Sequence, residues 1–271
     1  MLNILFWNIK NNINVIPLLP KLCTENLINI LILSETKGID NEYILRRLEE
    51  TGKTFRVELP MPGNRTFLFH DQGLQIKKVK DGKFFSAFKL LNGPSIILLV
   101  TVHLPSLLHQ TESVIGHEGS IIIADILKLE AELDTNKTVI VGDFNLNPFS
   151  DSMVSAYGFH AIMCKDTALK NSRTIYGEEY KYFYNPMWSL HGNNKNNVLG
   201  TYYYHTKPTS YVWNMFDQVI IRPSLINFFY FDKMEIIDMI EETSILNLKR
   251  KPNSKDYSDH LPLKFSLRLE E

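Results

Sequence analysis

Four short segments place acid, amide or imidazole groups at the ends of apolar runs. They are Trp7-Asn8, Ile32-Leu33-Ser34-Glu35-Thr36, Val139-Ile140-Val141-Gly142-Asp143-Phe144-Asn145 and Ser258-Asp259-His260-Leu261-Pro262. A buried strand supplies a rigid backbone, and its end projects a polar group into a cleft. The two-residue period of a strand puts Asp143 and Asn145 on one side, provided the extended geometry continues through Phe144. Carboxylates and amide carbonyls gathered at one mouth are hard oxygen ligands, suited to Mg²⁺ or Mn²⁺ rather than zinc. Such an ion neutralises phosphate charge and activates water or stabilises a leaving oxygen. His260 adds an imidazole, and a catalytic imidazole needs a partner that fixes its tautomer. Asp217, which opens the run Gln218-Val219-Ile220, is the candidate partner. Each segment alone reads more readily as a turn, a cap or a solvated strand end. The weight lies in their coincidence.

The elements that must position these groups are short. Residues 4–8, 28–34, 55–59, 66–69, 74–79, 84–90, 96–103, 138–142, 216–221 and 263–267 are rich in Ile, Val, Phe and Leu. Gly, Pro, Asn or Asp bound them, so they read as strands. Residues 15–26, 41–50 and 120–133 read as helices. Pro17 and Pro20 push the start of the first one later. Asp40 is a candidate N-cap for the second. In the third, Ile122, Ile126, Leu129 and Leu133 form an apolar stripe. Helices alternate with strands early and the middle is hairpin-like, which predicts a mixed α/β sandwich in one domain over residues 1–271.

The chain carries 29 Lys+Arg against 30 Asp+Glu, so it is not a strongly basic nucleic-acid binder. That balance still admits a nucleic-acid enzyme, because a bound divalent ion can supply positive charge locally. Two cysteines, Cys23 and Cys164, exclude a disulfide scaffold and point to a reducing compartment. Neither a secretory leader nor a membrane-spanning run is visible, which predicts a soluble, cytoplasmic protein. The sequence shows no obligate protein partner and leaves the oligomeric state open.

Taken in order, Trp7-Asn8, Ser34-Glu35-Thr36, Thr101-Val102-His103, Gly142-Asp143-Phe144-Asn145, Phe216-Asp217-Gln218-Val219 and Ser258-Asp259-His260-Leu261-Pro262 resemble the endonuclease/exonuclease/phosphatase superfamily. Deoxyribonuclease I, abasic-site endonucleases, sphingomyelinases and inositol-polyphosphate 5-phosphatases share that fold. The marks span residues 7 to 262. The resemblance implies a four-layer α/β/β/α sandwich of two packed mixed sheets flanked by helices. It also implies Mg²⁺-dependent hydrolysis of a phosphoric ester by in-line water attack, with Mn²⁺ as an alternative ion. Glu35 would be the principal metal ligand, with Asn8 and Asp259 close to the ion or its waters. Asp143 would position or deprotonate the attacking water, and Asn145 would hold a phosphate oxygen. His260, oriented by Asp217, would contact the scissile phosphate. His103 corresponds to a second site histidine of the deoxyribonuclease I branch, where its partner is a Glu. Gly63-Asn64-Arg65 stands in that stretch here, so His103 is expected to bind phosphate or order the site.

Other features carry weaker expectations. His117-Glu118 lacks the spacing of a zinc-protease motif and reads as a loop leading into a helix at Ser120. Cys23 and Cys164 read as small buried hydrophobes. Lys249, Arg250 and Lys251 precede Asp259 and form a candidate basic lip for a phosphate backbone. The aromatic stretches 180–188 and 202–213 are mostly packing, with some rings available to stack on bases. The loop 186–200 is the candidate specificity insert. The first functional reading is therefore a nuclease acting on DNA or RNA. The alternative is a phosphatase or phosphodiesterase acting on a small or lipid-linked phosphate, of phosphoinositide or sphingomyelin type. A binding module that has lost catalysis is disfavoured, because Glu35, Asp143, Asn145 and His260 all persist.

Overall fold

A computed structural model describes residues 1–106, 110–191, 198–206 and 210–269. Strands β1 (Leu2–Asn8), β2 (Ile30–Ser34), β3 (Phe55–Glu58) and β4 (Thr66–Asp71) join Glu235–Ile236 and Leu263–Leu267 in one six-stranded sheet. In it β1 and β2 run parallel, and Leu263–Leu267 pairs antiparallel with the other side of β1. Strands β5 (Ile76–Asp81), β6 (Phe85–Asn92), β7 (Ser95–His103) and β8 (Thr138–Asp143) lead a seven-stranded sheet, which Asp217–Ile221, Phe183–Tyr184 and Ala161–Ile162 complete. Here β7 and β8 run parallel, and Asp217–Ile221 pairs antiparallel with β8.

Alternation along the strands builds the layers. Ile4, Phe6, Ile30 and Ile32 of the first sheet pack on Leu99, Val139, Val141 and Val219 of the second. Their neighbours Leu5, Trp7, Leu31 and Leu33 face the other way, onto α1 (Leu19–Glu25) and α2 (Asn41–Leu48). Behind the second sheet, Val100, Val102, Ile140 and Ile220 meet Ile115, Ile122, Ile126 and Leu129 of α3 (Glu112–Glu132). The result is helix, sheet, sheet, helix. Each fully buried Leu, Ile or Phe contributes about 1.5–3 kcal/mol, so these three clusters hold the sheet ends rigidly.

Every run read as a strand forms one, with ends displaced by at most two residues. Pro17 falls in a 3₁₀ turn (Ile13–Leu18) and Pro20 in the first turn of α1. Asp40 caps α2, accepting the Glu42 N–H at 3.1 Å. Two expectations need correction. Helix α3 begins at Glu112, capped by Thr111, so His117 and Glu118 lie within the helix rather than in a loop before it. Cys164 is exposed, and only Cys23 is buried. Residues 192–197 of the expected specificity loop lie outside the described residues. Among the described residues no helix is long and apolar enough to cross a membrane.

Candidate active site

Strand register assembles the site. In the second sheet His103 pairs with Asp143, and Asp143 pairs with Asp217, so three adjacent strands end on three ionisable side chains. In the first sheet Asn8 stands opposite Ser34 at the ends of the parallel strands β1 and β2. The Ser34 hydroxyl meets His103 Nδ1 at 2.5 Å and ties the two sheet ends together. Just past β2 the chain turns left-handed at Glu35, with φ +55°. Such a conformation in a non-glycine residue costs on the order of 1–3 kcal/mol and persists only where the surroundings enforce it. Here the Glu35 N–H donates to the Arg65 carbonyl at 3.1 Å, and the Glu35 carbonyl accepts the Asn11 N–H at 2.6 Å. Its carboxylate is thereby turned back over the sheet ends. Asn8 Nδ2 reaches Glu35 Oε1 at 3.3 Å and Asp143 Oδ2 at 3.1 Å, while Asn8 Oδ1 accepts the Lys10 N–H. The amide of Asn8 thus spans both carboxylates.

The terminal motif is clamped to the same place. Ser258 donates to the Asn8 carbonyl at 2.6 Å and accepts the His260 N–H at 3.1 Å. Trp7 Nε1 donates to the His260 carbonyl at 3.0 Å. His260 Nδ1 lies 2.8 Å from Asp217 Oδ2, and the Asp217 N–H donates to Thr201 Oγ1. The other Asp217 oxygen, Oδ1, is buried without a hydrogen-bond partner among the described residues. His260 Nε2 and His103 Nε2 each lie 3.9 Å from Asp143 Oδ2, so two imidazoles flank one carboxylate. The Tyr202 ring packs on His260 with centroids 4.7 Å apart, and Phe216 and Tyr204 stack against it at 5.3 and 6.4 Å.

Burial and charge divide the roles. Burial raises the Asp143 carboxyl to about 6, against the pull of His260. Burial alone would strip the proton from His260, but the charge and hydrogen bond of Asp217, helped by Asp143 and Asp259, reverse this and lift it to about 10. Burial drives His103 down to about 4, and the Arg65 charge adds to that, against the pull of Glu35. Near neutral pH the site therefore holds a cationic His260, a neutral His103 and a poised Asp143.

The extended geometry expected through Phe144 stops at Asp143. Asn145 is left-handed, with φ +50°, and its N–H closes a turn onto Asp143 Oδ1 at 2.9 Å. Phe144 is driven into the core against Phe159. Asn145 Nδ2 is anchored on the Leu104 carbonyl at 2.9 Å. Both Asp143 and Asn145 still reach the cavity, through a turn instead of a strand. Gly142 is required just before it, because a Cβ there would lie 1.9 Å from the Val102 carbonyl oxygen.

These groups face a cavity of about 570 Å³. Glu35, His103, Asp143, Asn145, Asp259 and His260 line it, together with the aromatic rings of Phe149, Tyr202, Tyr204, Tyr211 and Phe216. Asn8 and Asp217 stand behind the lining. Asp259 is turned onto Lys10, with 2.9 Å between Oδ2 and Nζ. Lys249, Arg250 and Lys251 do not line the cavity; Lys251 Nζ sits 3.9 Å from the ring centre of Tyr203. No local pattern marks Lys10, Thr201 or Arg65 as site residues, and Tyr202 stands out only as part of an aromatic stretch.

No protein-family model matches the chain, and no curated protein matches it in sequence. Solved structures do match. The catalytic domain of human Nocturnin with bound sulfate superposes with a TM-score of 0.58 at 12% identity, over 99% of this chain and 94% of that one. An AP endonuclease from Archaeoglobus fulgidus gives a TM-score of 0.57 at 14% identity, over 98% and 99%. The 3′ phosphatase NExo from Neisseria, bound to a product DNA hairpin, gives 0.59 at 12% identity, over 98% and 99%. The chain thus has the deoxyribonuclease I-like fold of the endonuclease/exonuclease/phosphatase superfamily, in agreement with the sequence motifs.

Proposed function

We propose that this chain is a divalent-metal-dependent phosphodiester hydrolase that cuts nucleic acid. The observation that carries the reading is the convergence on a single cavity of Glu35, Asp143 and His260, the last backed by Asp217. The three solved structures bear on the same chemistry through their names, which describe a nuclease, a DNA phosphatase and a sulfate-binding catalytic domain.

The donor set suits magnesium, with manganese as a substitute. Oxygen donors dominate, and the Asn8 amide brings the Glu35 and Asp143 carboxylates together, 3.3 and 3.1 Å from its nitrogen. Ligand-capable atoms of Asp143, Asp217 and His260 also lie within 4.8 Å of one another, but Asp217 and His260 already engage each other through Oδ2 and Nδ1, so they act as a pair and leave metal binding to the rim. Glu35 would hold the ion, with Asp259 and the Asn8 amide beside it. Once bound, a divalent ion neutralises phosphate oxygens and stabilises the leaving oxygen.

The remaining steps belong to the side chains. Asp143 accepts the proton of the attacking water, a task that suits a carboxyl raised toward neutrality. His260, held protonated by Asp217, turns Nε2–H toward the scissile phosphate and stabilises its added charge. Asn145 spends one amide hydrogen on Leu104 and has a second for a phosphate oxygen. The aromatic wall offers rings for bases beside the scissile bond, each stack being worth roughly 1–3 kcal/mol. A panel of single- and double-stranded DNA, RNA, abasic DNA, inositol phosphates and a generic phosphodiester tests the assignment. Hydrolysis of a polynucleotide with Mg²⁺ or Mn²⁺, abolished in His260→Ala, is expected. Turnover confined to inositol or lipid-linked phosphates would replace the nuclease reading with the phosphatase one.

A further inference from the structure

A second cavity of about 300 Å³ adjoins the first and shares Arg65, His103 and Ser106 with it. It is lined by His103 but not by His260, Tyr202 or Tyr204. The site therefore has an aromatic flank beside His260 and, beside His103, a flank of mixed lining that carries Arg65 and Lys83. Arg65 is the one Arg or Lys among the described residues that line the large cavity, and it lines the smaller one too. Its side chain is exposed and makes no ion pair among the described residues. The backbone beneath it is fixed. Arg65 N–H donates to Asn64 Oδ1 at 2.7 Å, and buried Asn64 donates to the Phe85 carbonyl and the Ser86 hydroxyl, each at 2.9 Å. The Arg65 carbonyl holds the N–H of Glu35. The other cation of the small cavity, Lys83, is already paired with Glu118 at 2.9 Å. A guanidinium with no ion pair among the described residues, on a pinned backbone one residue from a strand that reaches the site, is placed to take an anion, and its planar fork matches phosphate.

We propose that Arg65 holds a second phosphate of the substrate, next to the scissile one on the His103 side. The site then selects esters that carry two neighbouring phosphates on a nucleoside, as a polynucleotide does, over isolated diesters. This deepens the hydrolase reading above and rests on it for the place of the scissile phosphate.

Calorimetry tests this without turnover. The affinities of thymidine 3′,5′-bisphosphate and of the two thymidine monophosphates are measured with Mg²⁺ at fixed ionic strength. The wild type is expected to favour the bisphosphate by about tenfold or more, the scale of one charge-assisted hydrogen-bonded contact. In Arg65→Gln that ratio falls to near one, and Arg65→Lys restores part of it. A merely structural role would weaken bisphosphate and monophosphates alike and leave the ratio unchanged. A ratio that survives in Arg65→Gln, or is absent from the wild type, overturns the subsite. An inositol bisphosphate that binds as tightly as the nucleoside bisphosphate overturns the nucleotide assignment. A protein that hydrolyses no phosphodiester but keeps the Arg65-dependent ratio sinks the catalytic reading and sustains the subsite. An active nuclease whose ratio ignores Arg65 does the reverse.

Discussion

Replacing Asp217 by Asn isolates the device that keeps His260 charged. The substitution preserves shape and leaves the Asp217 N–H bond to Thr201 available, but it removes the negative charge 2.8 Å from Nδ1. Burial is the largest influence on His260 and acts against the charged form, so loss of Asp217 lets it dominate. The imidazole should then fall well below 10, with only Asp143 and Asp259 left to hold its charge against burial. Each pH unit of that fall corresponds to about 1.4 kcal/mol of lost interaction with the protonated ring. Near neutral pH His260 would then carry less of its positive charge. Nuclear magnetic resonance of the ring nitrogens, followed through a pH titration, reads this directly. The turnover number should drop by about a hundredfold or more, the usual scale for losing one donor aimed at the charge of the transition state. Urea unfolding of the variant checks that the fold survives. If His260 in Asp217→Asn still titrates near 10, or turnover stays within about tenfold of wild type, the reasoning about this pair is wrong.

Three further outcomes follow from the geometry. Gly142→Ala forces a Cβ against the Val102 carbonyl at a backbone angle of +152°, and should cost more than about 2 kcal/mol in urea unfolding; a smaller loss would show that β7 and β8 can part there. Burial holds His160 down to about 4, whereas its unfolded value is 6.5, so the unfolded chain binds the extra proton. Stability is therefore complete above about pH 6.5 and falls as the pH drops toward 4, by up to about 3 kcal/mol, and His160→Gln should flatten that part of the stability curve. Charge reversal of Lys249, Arg250 and Lys251 should weaken polynucleotide binding and reduce its salt dependence, because counterion release scales with the phosphates contacted; unchanged binding would place these residues off the substrate path.

Much of this site is legible in sequence because its polar groups stand at the ends of apolar strands, and a strand end is a local pattern. Asn8, Asp143 and Asp217 need only the ends of β1, β8 and Asp217–Ile221, and the register does the rest. What the pattern hides is backbone hand and side-chain pairing. Neither the left-handed turns at Glu35 and Asn145 nor the Lys10–Asp259 pair follows from any spacing, because each depends on tertiary hydrogen bonds. The missing start of α3 has a different cause. Gly116 and Gly119 look like breakers, but a Cβ at Gly119 would lie 2.8 Å from the Phe159 ring, so that glycine marks a close packing approach inside a helix. Arg65 was visible only as the place where an expected Glu is missing. Its relation to two cavities belongs to the folded chain.

The central claim is that Glu35, Asp143 and His260 perform metal-assisted phosphodiester hydrolysis at this cavity. The most direct test is the single-turnover rate of cleavage of a short labelled oligonucleotide with Mg²⁺ and with excess EDTA. The wild type is compared with Glu35→Gln and His260→Ala. The expected result is cleavage by the wild type that EDTA abolishes, and a loss of at least about a hundredfold in each variant. Cleavage that persists in EDTA, or that survives both substitutions, would contradict it.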